Sequence, residues 1–397
     1  MNKQMDSANR FKSRHGNNAH DGLEELLKWC QAEKLIKSYQ KGFRTGKLGF
    51  GNQKQFYAPF IIEFENSVKW ILFSTTSMRT DRIKGQQWDS ANIKELDSTI
   101  SMSYLVYPDT ANAEDFQSQN RKITDCYEYS AIDEIVNQDR LVNLIEEYST
   151  VDQSIGKRKS LQGVRFEQRI VETLNNQSNF SRWKNQEEAI TGLHFGMFSA
   201  IVEKLGLNRE TVELIRSTCD QNDIGKLPSG GNPKTDVLIA VTNSDGSTAH
   251  YTVSCKRSSS SSVSVHQYKA DDFADVLDSS DENLRSLLEE FQSAGSKEKF
   301  GNEKSEKLSS ALRPHITRLT QWVLGGIGGS GDPEKQWAQY LLVYDNRDEG
   351  FQMHEVHEYS EYLIRNSTLM FGTPFSWTYA SKQRGKSIQL KCRVQAV

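Results

Sequence analysis

Cysteine is sparse in this chain, and no two cysteines lie close together. Cys30, Cys126, Cys219, Cys255 and Cys392 are odd in number and widely scattered, so neither a disulfide framework nor a zinc site is indicated. All five are read as reduced thiols. Long apolar runs are missing too. No stretch approaches the roughly 18 apolar residues that cross a bilayer, and the polar start from Met1 to Asn18 lacks the apolar core of a signal peptide. A cytoplasmic protein is expected. Nor does one charge dominate: 49 basic and 52 acidic side chains leave a net charge of -3, which argues against a uniformly basic nucleic-acid binder. The histidines show no helical metal-binding pair, so histidine-centred nuclease chemistry is not expected.

What the chain does have is segregated charge and length enough for two cores. From Ser376 to Val397 the charges are Lys382, Arg384, Lys386, Lys391 and Arg393, with no acid among them. Asp271, Asp272, Asp275, Asp278, Asp281, Glu282, Glu289 and Glu290 crowd another stretch. That stretch reads as a solvated helix face or, against base rates, as a neighbour of a metal.

Apolar spacing predicts a helix over Leu23 to Leu35, strands over Phe56 to Glu65, Lys69 to Ser74 and Ser101 to Tyr107, and a helix over Ile132 to Tyr148. The basic, polar run from Ser154 to Lys159 is taken as a domain boundary. An N-terminal accessory domain of residues 1–153 and a second domain of 154–397 follow. In the second, helices are expected over Gly163 to Leu174, Leu193 to Leu205 and Leu312 to Leu324. In the first, the cationic run Arg79, Arg82 and Lys84 up to Trp88 is either a DNA-backbone contact or an ordinary loop.

The turn-rich Leu227 to Pro233 leads into an apolar, β-branched run, Val237 to Thr242. Asn243 to Ser247 turns the chain back, and Tyr251 to Cys255 returns. If that turn closes a hairpin, antiparallel pairing sets Asp236 across from Ser254 to within a residue. Lys256, two residues on, then shares the face of Ser254. Phosphodiester hydrolysis needs a divalent cation, carboxylates to hold it, and a base or charge partner for the attacking water. Asp236 would ligate the metal with the backbone carbonyl of Cys255 as a second ligand, and Lys256 would orient the water and stabilise developing charge. Ser254 stands where a second carboxylate is usual, and Glu167 is the candidate to complete the site. An Asp and a Lys about 20 residues apart are common by chance, so a turn-capping Asp236 and a surface Lys256 remain an equal alternative.

Beyond Lys256 come Arg257, five serines ending at Ser262, and then Ser264, His266 and Gln267. They form either a flexible linker or a set of compact groups suited to phosphates and base edges. Near the C-terminus Lys382, Arg384, Lys386, Gln389 and Lys391 mix cations with amides, as a groove contact requires. The alternative is a solvated tail, against which Ile388 to Cys392 alternates like a half-buried strand.

Three of these stretches, Gly230 to Asp236, Ser254 to Tyr268 and Trp377 to Lys391, resemble the MspI-type type II restriction endonucleases of the PD-(D/E)xK superfamily, over about Gly163 to Cys392. The resemblance implies an α/β (mixed α+β) fold: a restriction-endonuclease-like core, a mixed β-sheet flanked by helices, here with an additional N-terminal α+β domain. It places Asp236, Ser254 and Lys256 on catalytic positions and Ser264, Gln389 and Lys391 on base-contacting ones. The family carries Asn where this chain has Ser254. Mg2+, double-stranded DNA with a short palindromic GC-rich site, and a partner DNA methyltransferase are implied likewise. Two other readings stand beside it: a DNA-binding protein that kept the fold and lost the chemistry, for which Ser254 is the best argument, and a repair or structure-selective nuclease on the same core.

Overall fold

The computed structural model describes residues 19–45, 56–75, 79–107, 131–150, 155–186, 194–258, 262–345, 350–380 and 383–393. They fall into two compact units, Met1–Arg158 with Asn176–Ala200, and Lys159–Asn175 with Ile201–Val397. The single crossing expected at residue 153 is therefore replaced by three. The polar run over 154–159 is no break either, because the helix Ile155–Asn175 runs through most of it. Lys and Arg propagate a helix nearly as well as Leu, so composition there suggested a linker where the backbone stays helical.

The first unit is built on a five-stranded sheet of β1 (Ser38–Thr45), β2 (Phe56–Glu63), β3 (Lys69–Ser74), β4 (Ile100–Val106) and β5 (Glu134–Val136), paired in that order. The first three are antiparallel, whereas β3, β4 and β5 run parallel. Period-2 alternation divides their apolar residues between two cores. Phe60, Ile62, Trp70, Leu72 and Tyr104 face one, with Leu26 and Ile145, while Ile61, Ile71, Phe73 and Leu105 face the other, with Ile83 and Ile93. The helix expected over Ile132 to Tyr148 divides in two. Its first residues form β5, and the side chain of Asn137 then accepts from the Arg140 N–H and starts the helix Gln138–Ser149.

In the second unit a mixed sheet runs in the order β11-β10-β8-β7-β6, from β6 (Val212–Thr218), β7 (Val237–Asn243), β8 (Thr248–Ser258), β10 (Tyr340–Asp345) and β11 (Gly350–Glu355). Only the β8–β10 pair is parallel. A smaller sheet, β12-β13-β9, joins β9 (Ser262–Tyr268), β12 (Ser376–Thr378) and β13 (Ile388–Arg393). The helices Ala270–Asp278, Glu282–Ala294, Asn302–Leu312, Ile316–Gly325 and Val356–Asn366 bury Phe273, Leu288, Phe291, Leu308, Val323 and Tyr359 against Val265, Leu341 and Leu390 of these strands. At roughly 1.5–3 kcal/mol for each buried apolar side chain, this cluster holds the unit's elements in place.

The acidic stretch lies on helices, with Asp271 and Asp275 largely exposed and paired with Arg285. A solvated face describes these two. Among the described residues no helix is long and apolar enough to cross a membrane.

Candidate active site

The turn Asn243 to Ser247 closes the β7–β8 hairpin with Gly246 at φ +81°, a conformation that glycine adopts without strain. The register follows from it: Val237 pairs with Val253, and the N–H of Asp236 donates to Val253 O at 2.9 Å. Asp236 thus enters the hairpin opposite Ser254. Since β8 lies between β7 and β10 in the sheet, the face carrying Ser254 and Lys256 is set by pairing on both sides.

One carboxylate oxygen gathers three donors. Asp236 Oδ2 accepts from Ser254 Oγ at 3.1 Å, from the Cys255 N–H at 2.7 Å and from Lys256 Nζ at 2.9 Å. The Lys256 ammonium also donates to Cys255 O at 2.8 Å, so the carbonyl expected as a metal ligand already serves the lysine. Ser254 is fully buried and its hydroxyl is spent on Asp236. It braces the aspartate. The alternating thiol of Cys255 lies in the core, where burial and the Asp236 charge push it well above the usual range.

The electrostatics agree with this geometry. Burial pulls the Lys256 ammonium down, but the charge of Asp236 and the hydrogen bond to it outweigh that, and its pKa lies above the ordinary lysine value. Glu167, on the helix Ile155–Asn175, is raised to about 8, first by burial and then by the charge of Asp236. The two carboxylates are therefore close enough to repel. Two carboxylates, one at the start of an interior strand and one on a helix, with a lysine beside them, form an arrangement that a divalent cation would relieve. Among the described residues no group of three or more His, Cys, Asp or Glu side chains gathers to hold a metal. Two carboxylates nonetheless suit Mg2+, which keeps several of its waters and takes one or two protein carboxylates.

The small sheet collects most of the other expected residues. Ser264 pairs with Lys391, Gln267 with Gln389 and Ser262 with Arg393 across β9 and β13, while Ser376 and Thr378 of β12 flank Lys391 and Gln389. Alternation buries Val263, Val265, Leu390 and Cys392 beneath them and leaves a polar face of hydroxyls, amides and two cations. Gln267 Nε2 donates to Ser387 Oγ at 3.1 Å. Arg384 and Lys386 are exposed in the turn before β13, and Lys382 lies outside the described residues. Arg257 is half-buried, its guanidinium 5.9 Å from the Tyr344 ring centroid.

His266 departs from expectation. It is only 4% exposed, with Tyr268, Phe273 and Trp322 around its ring, so it is a core residue and cannot present that ring to DNA. Because Val265 and His266 are consecutive buried residues in β9, strict alternation fails there.

Sequence reasoning missed Ser376, Thr378 and Arg393 as members of the polar face, although period-2 alternation on β12 and β13 was a usable signal. It also missed Lys234 and Arg169. Arg169 is fully buried on the helix of Glu167, with its guanidinium over the rings of Phe166 and Tyr344. Lys234 Nζ donates to Val265 O at 2.5 Å and to Val323 O at 2.8 Å, and burial lowers its amine to about 7, with help from the charge of Lys256. No local sequence signal marks either residue.

Comparison with known proteins places these features. The family model described as "Restriction endonuclease MspI" matches residues 141–392. The type II restriction enzyme BsuFI of Bacillus subtilis is 27% identical over 406 residues, 98% of this chain and 99% of that protein. The likeness to it thus reaches across the first unit, which sequence reading alone had set outside. The type II restriction enzyme MspI of Moraxella sp is 26% identical over 192 residues, 47% of this chain and 73% of that protein. A crystal structure of restriction endonuclease MspI in complex with its cognate DNA matches at a TM-score of 0.52 and 21% identity, covering 63% of this chain and 98% of that one, which shows a common fold.

Proposed function

Since the chain belongs to the MspI family of type II restriction endonucleases, we propose that it cleaves double-stranded DNA at a short, palindromic, GC-rich site, with Mg2+ held by Asp236 and Glu167. The convergence of Ser254 Oγ, the Cys255 N–H and Lys256 Nζ on Asp236 Oδ2 carries this reading.

When bound, Mg2+ would neutralise charge on the scissile phosphate and favour ionisation of water. The protein's own groups then have separate tasks. Ser254 and the Cys255 N–H hold the Asp236 carboxylate in one orientation, so that it meets the cation without reorganisation. Glu167, which burial and Asp236 raise to about 8 without the cation, would supply a second carboxylate from the facing helix once a bound cation favoured its ionised form. The Lys256 ammonium, kept charged by Asp236, orients the attacking water and stabilises the extra negative charge of the pentavalent transition state.

The polar face of β9, β12 and β13 is assigned to base recognition. Gln267 and Gln389 suit adenine edges, Lys391 and Arg393 suit guanine N7 and O6, and Ser262 and Ser264 serve as compact hydroxyl partners. Arg257, Arg384 and Lys386, with Lys382, are assigned to phosphates. A methyltransferase modifying the same site would be the functional partner, because an enzyme with this activity would otherwise cut the DNA of its own cell.

The reading is tested with unmethylated DNA and Mg2+. Discrete fragments with identical ends are expected, and sequencing those ends gives the site. Absence of cutting on any methyl-free DNA, with binding intact, would replace it by a DNA-binding protein on the same fold. Cutting without fixed positions would replace it by a structure-selective nuclease.

A further inference from the structure

Lys234 stands two residues ahead of Asp236, yet its side chain leaves the catalytic hairpin altogether. Its ammonium reaches 2.5 Å to Val265 O on β9 and 2.8 Å to Val323 O on the helix Ile316–Gly325. Both carbonyls need an outside donor. Val323 lies in the last turn of its helix, where carbonyls have no partner further along, and β9 is an edge strand of its sheet. A cation at a helix C-terminus is also favoured by the helix dipole. The backbone of Lys234 is tied as well, its N–H donating to Gln336 O at 3.2 Å.

The surroundings leave this side chain little freedom. Gly326, the cap of that helix at φ +76°, approaches so closely that a Cβ there would meet Lys234 Cγ at 2.9 Å. Trp322 and Tyr268 line the same cavity as Lys234, together with Gly326, Gly328 and Gly329. Val265, whose carbonyl the ammonium grips, lies between Ser264 and the exposed Gln267 on the polar strand. A short, rigid path therefore runs from the proposed base-reading strand through one ammonium to the residue that leads into Asp236.

We propose that Lys234 is a positioning residue coupling base recognition to cleavage: its two hydrogen bonds hold β9 and the entry to β7 in one relative position, so a displacement of Ser264 or Gln267 at a mismatched site is passed on to Asp236. This rests on the function proposed above. Lys234 touches neither the scissile phosphate nor the metal in this role. It acts through Val265 on one side and through the backbone to Asp236 on the other.

The test compares single-turnover cleavage of the cognate site with that of a site changed at one base pair. The parent enzyme and Lys234→Met, which keeps the stem and removes the donors, are assayed alongside DNA affinity in Ca2+. Lys234→Met is expected to lower the cleavage ratio of cognate to altered site by roughly ten- to hundredfold, the loss of one or two charge-assisted hydrogen bonds. Affinity for unrelated DNA should hardly change. A melting temperature close to the parent's qualifies each variant. Where Lys234→Met fails that check, Lys234→Gln, uncharged and one bond too short to hold both carbonyls, carries the comparison and is expected to lose roughly tenfold in the same ratio. Undiminished discrimination in a folded variant, or equal losses on both sites, overturns the coupling while leaving the nuclease assignment intact. A parent that cuts no DNA overturns that assignment, and the coupling with it.

Discussion

Lys256 Nζ lies 2.9 Å from Asp236 Oδ2, although the two residues are 20 apart in sequence. The β7–β8 hairpin makes the contact, and the chemistry assigned to this protein depends on it. Both side chains are about a fifth exposed, at 20% and 23%, so the pair is largely shielded from bulk water without being entombed.

Asp236→Ala and Lys256→Ala are expected to lower the cleavage rate by about 100-fold or more, the scale seen when one group aimed at transition-state charge is lost. Affinity for the cognate site in Ca2+ should fall far less with Lys256→Ala. Asp236→Ala also strips Ser254, the Cys255 N–H and Lys256 of a common acceptor, a cost of about 1–3 kcal/mol for a pair this exposed. Single-turnover cleavage and denaturant melts measure the two effects separately. Normal cutting by either variant would remove the site from this hairpin.

Glu167→Gln keeps the shape of the side chain and removes the ionisable carboxylate that would take the cation. The Mg2+ concentration for half-maximal cutting should rise roughly 10- to 100-fold, as when groups supporting a metal are lost. A magnesium titration that superimposes on the parent's would reduce Glu167 to a packing residue.

Substitutions on the small sheet should separate base reading from phosphate binding. Gln389→Ala and Lys391→Ala are expected to weaken preference for the cognate site by about 1–3 kcal/mol, each mainly at one base position. Arg384→Ala and Lys386→Ala should instead lower binding to all sequences and reduce the salt slope by about one each. Binding to a panel of single-base variants at several salt concentrations distinguishes the patterns, and identical behaviour of all four would contradict the division.

His266 predicts the acid limit of the second unit. Burial holds its pKa well below the ordinary 6.5, so the folded state keeps it neutral. As pH falls below about 6.5, the unfolded chain takes up a proton that the folded one refuses, and stability declines with falling pH. Burial also lowers His354, to about 4, and extends the same trend downward. His266→Phe should leave stability near pH 7.5 little changed and flatten its loss between pH 6.5 and 5. Equilibrium denaturation at those values checks it, and a parent equally stable throughout would show that His266 is not the sensor.

The hairpin was readable in advance because its information is local. Asn243 to Ser247 supply the turn, Val237 to Thr242 supply the strand, and counting from the turn brings Asp236 opposite Ser254. The two cores of the first unit were not readable, since β-strand alternation shows that two faces exist without showing which elements cover them. The helix Ile155–Asn175 went unrecognised at its start because its opening residues are polar, and helix continuity there depends on backbone propensity as much as on pattern.

What the sequence by itself determined was the nearness of Asp236, Ser254 and Lys256, the strand bearing Gln389 and Lys391, and the family likeness, each encoded in neighbouring residues or in short spacings. Tertiary structure alone decided that Ser254 braces Asp236, that His266 is entombed among aromatic rings, and that Lys234 bridges two distant carbonyls. The physical reason is that burial and hydrogen-bond partners are properties of packing between segments remote in the chain, and no periodicity within one segment records what the others will place against it.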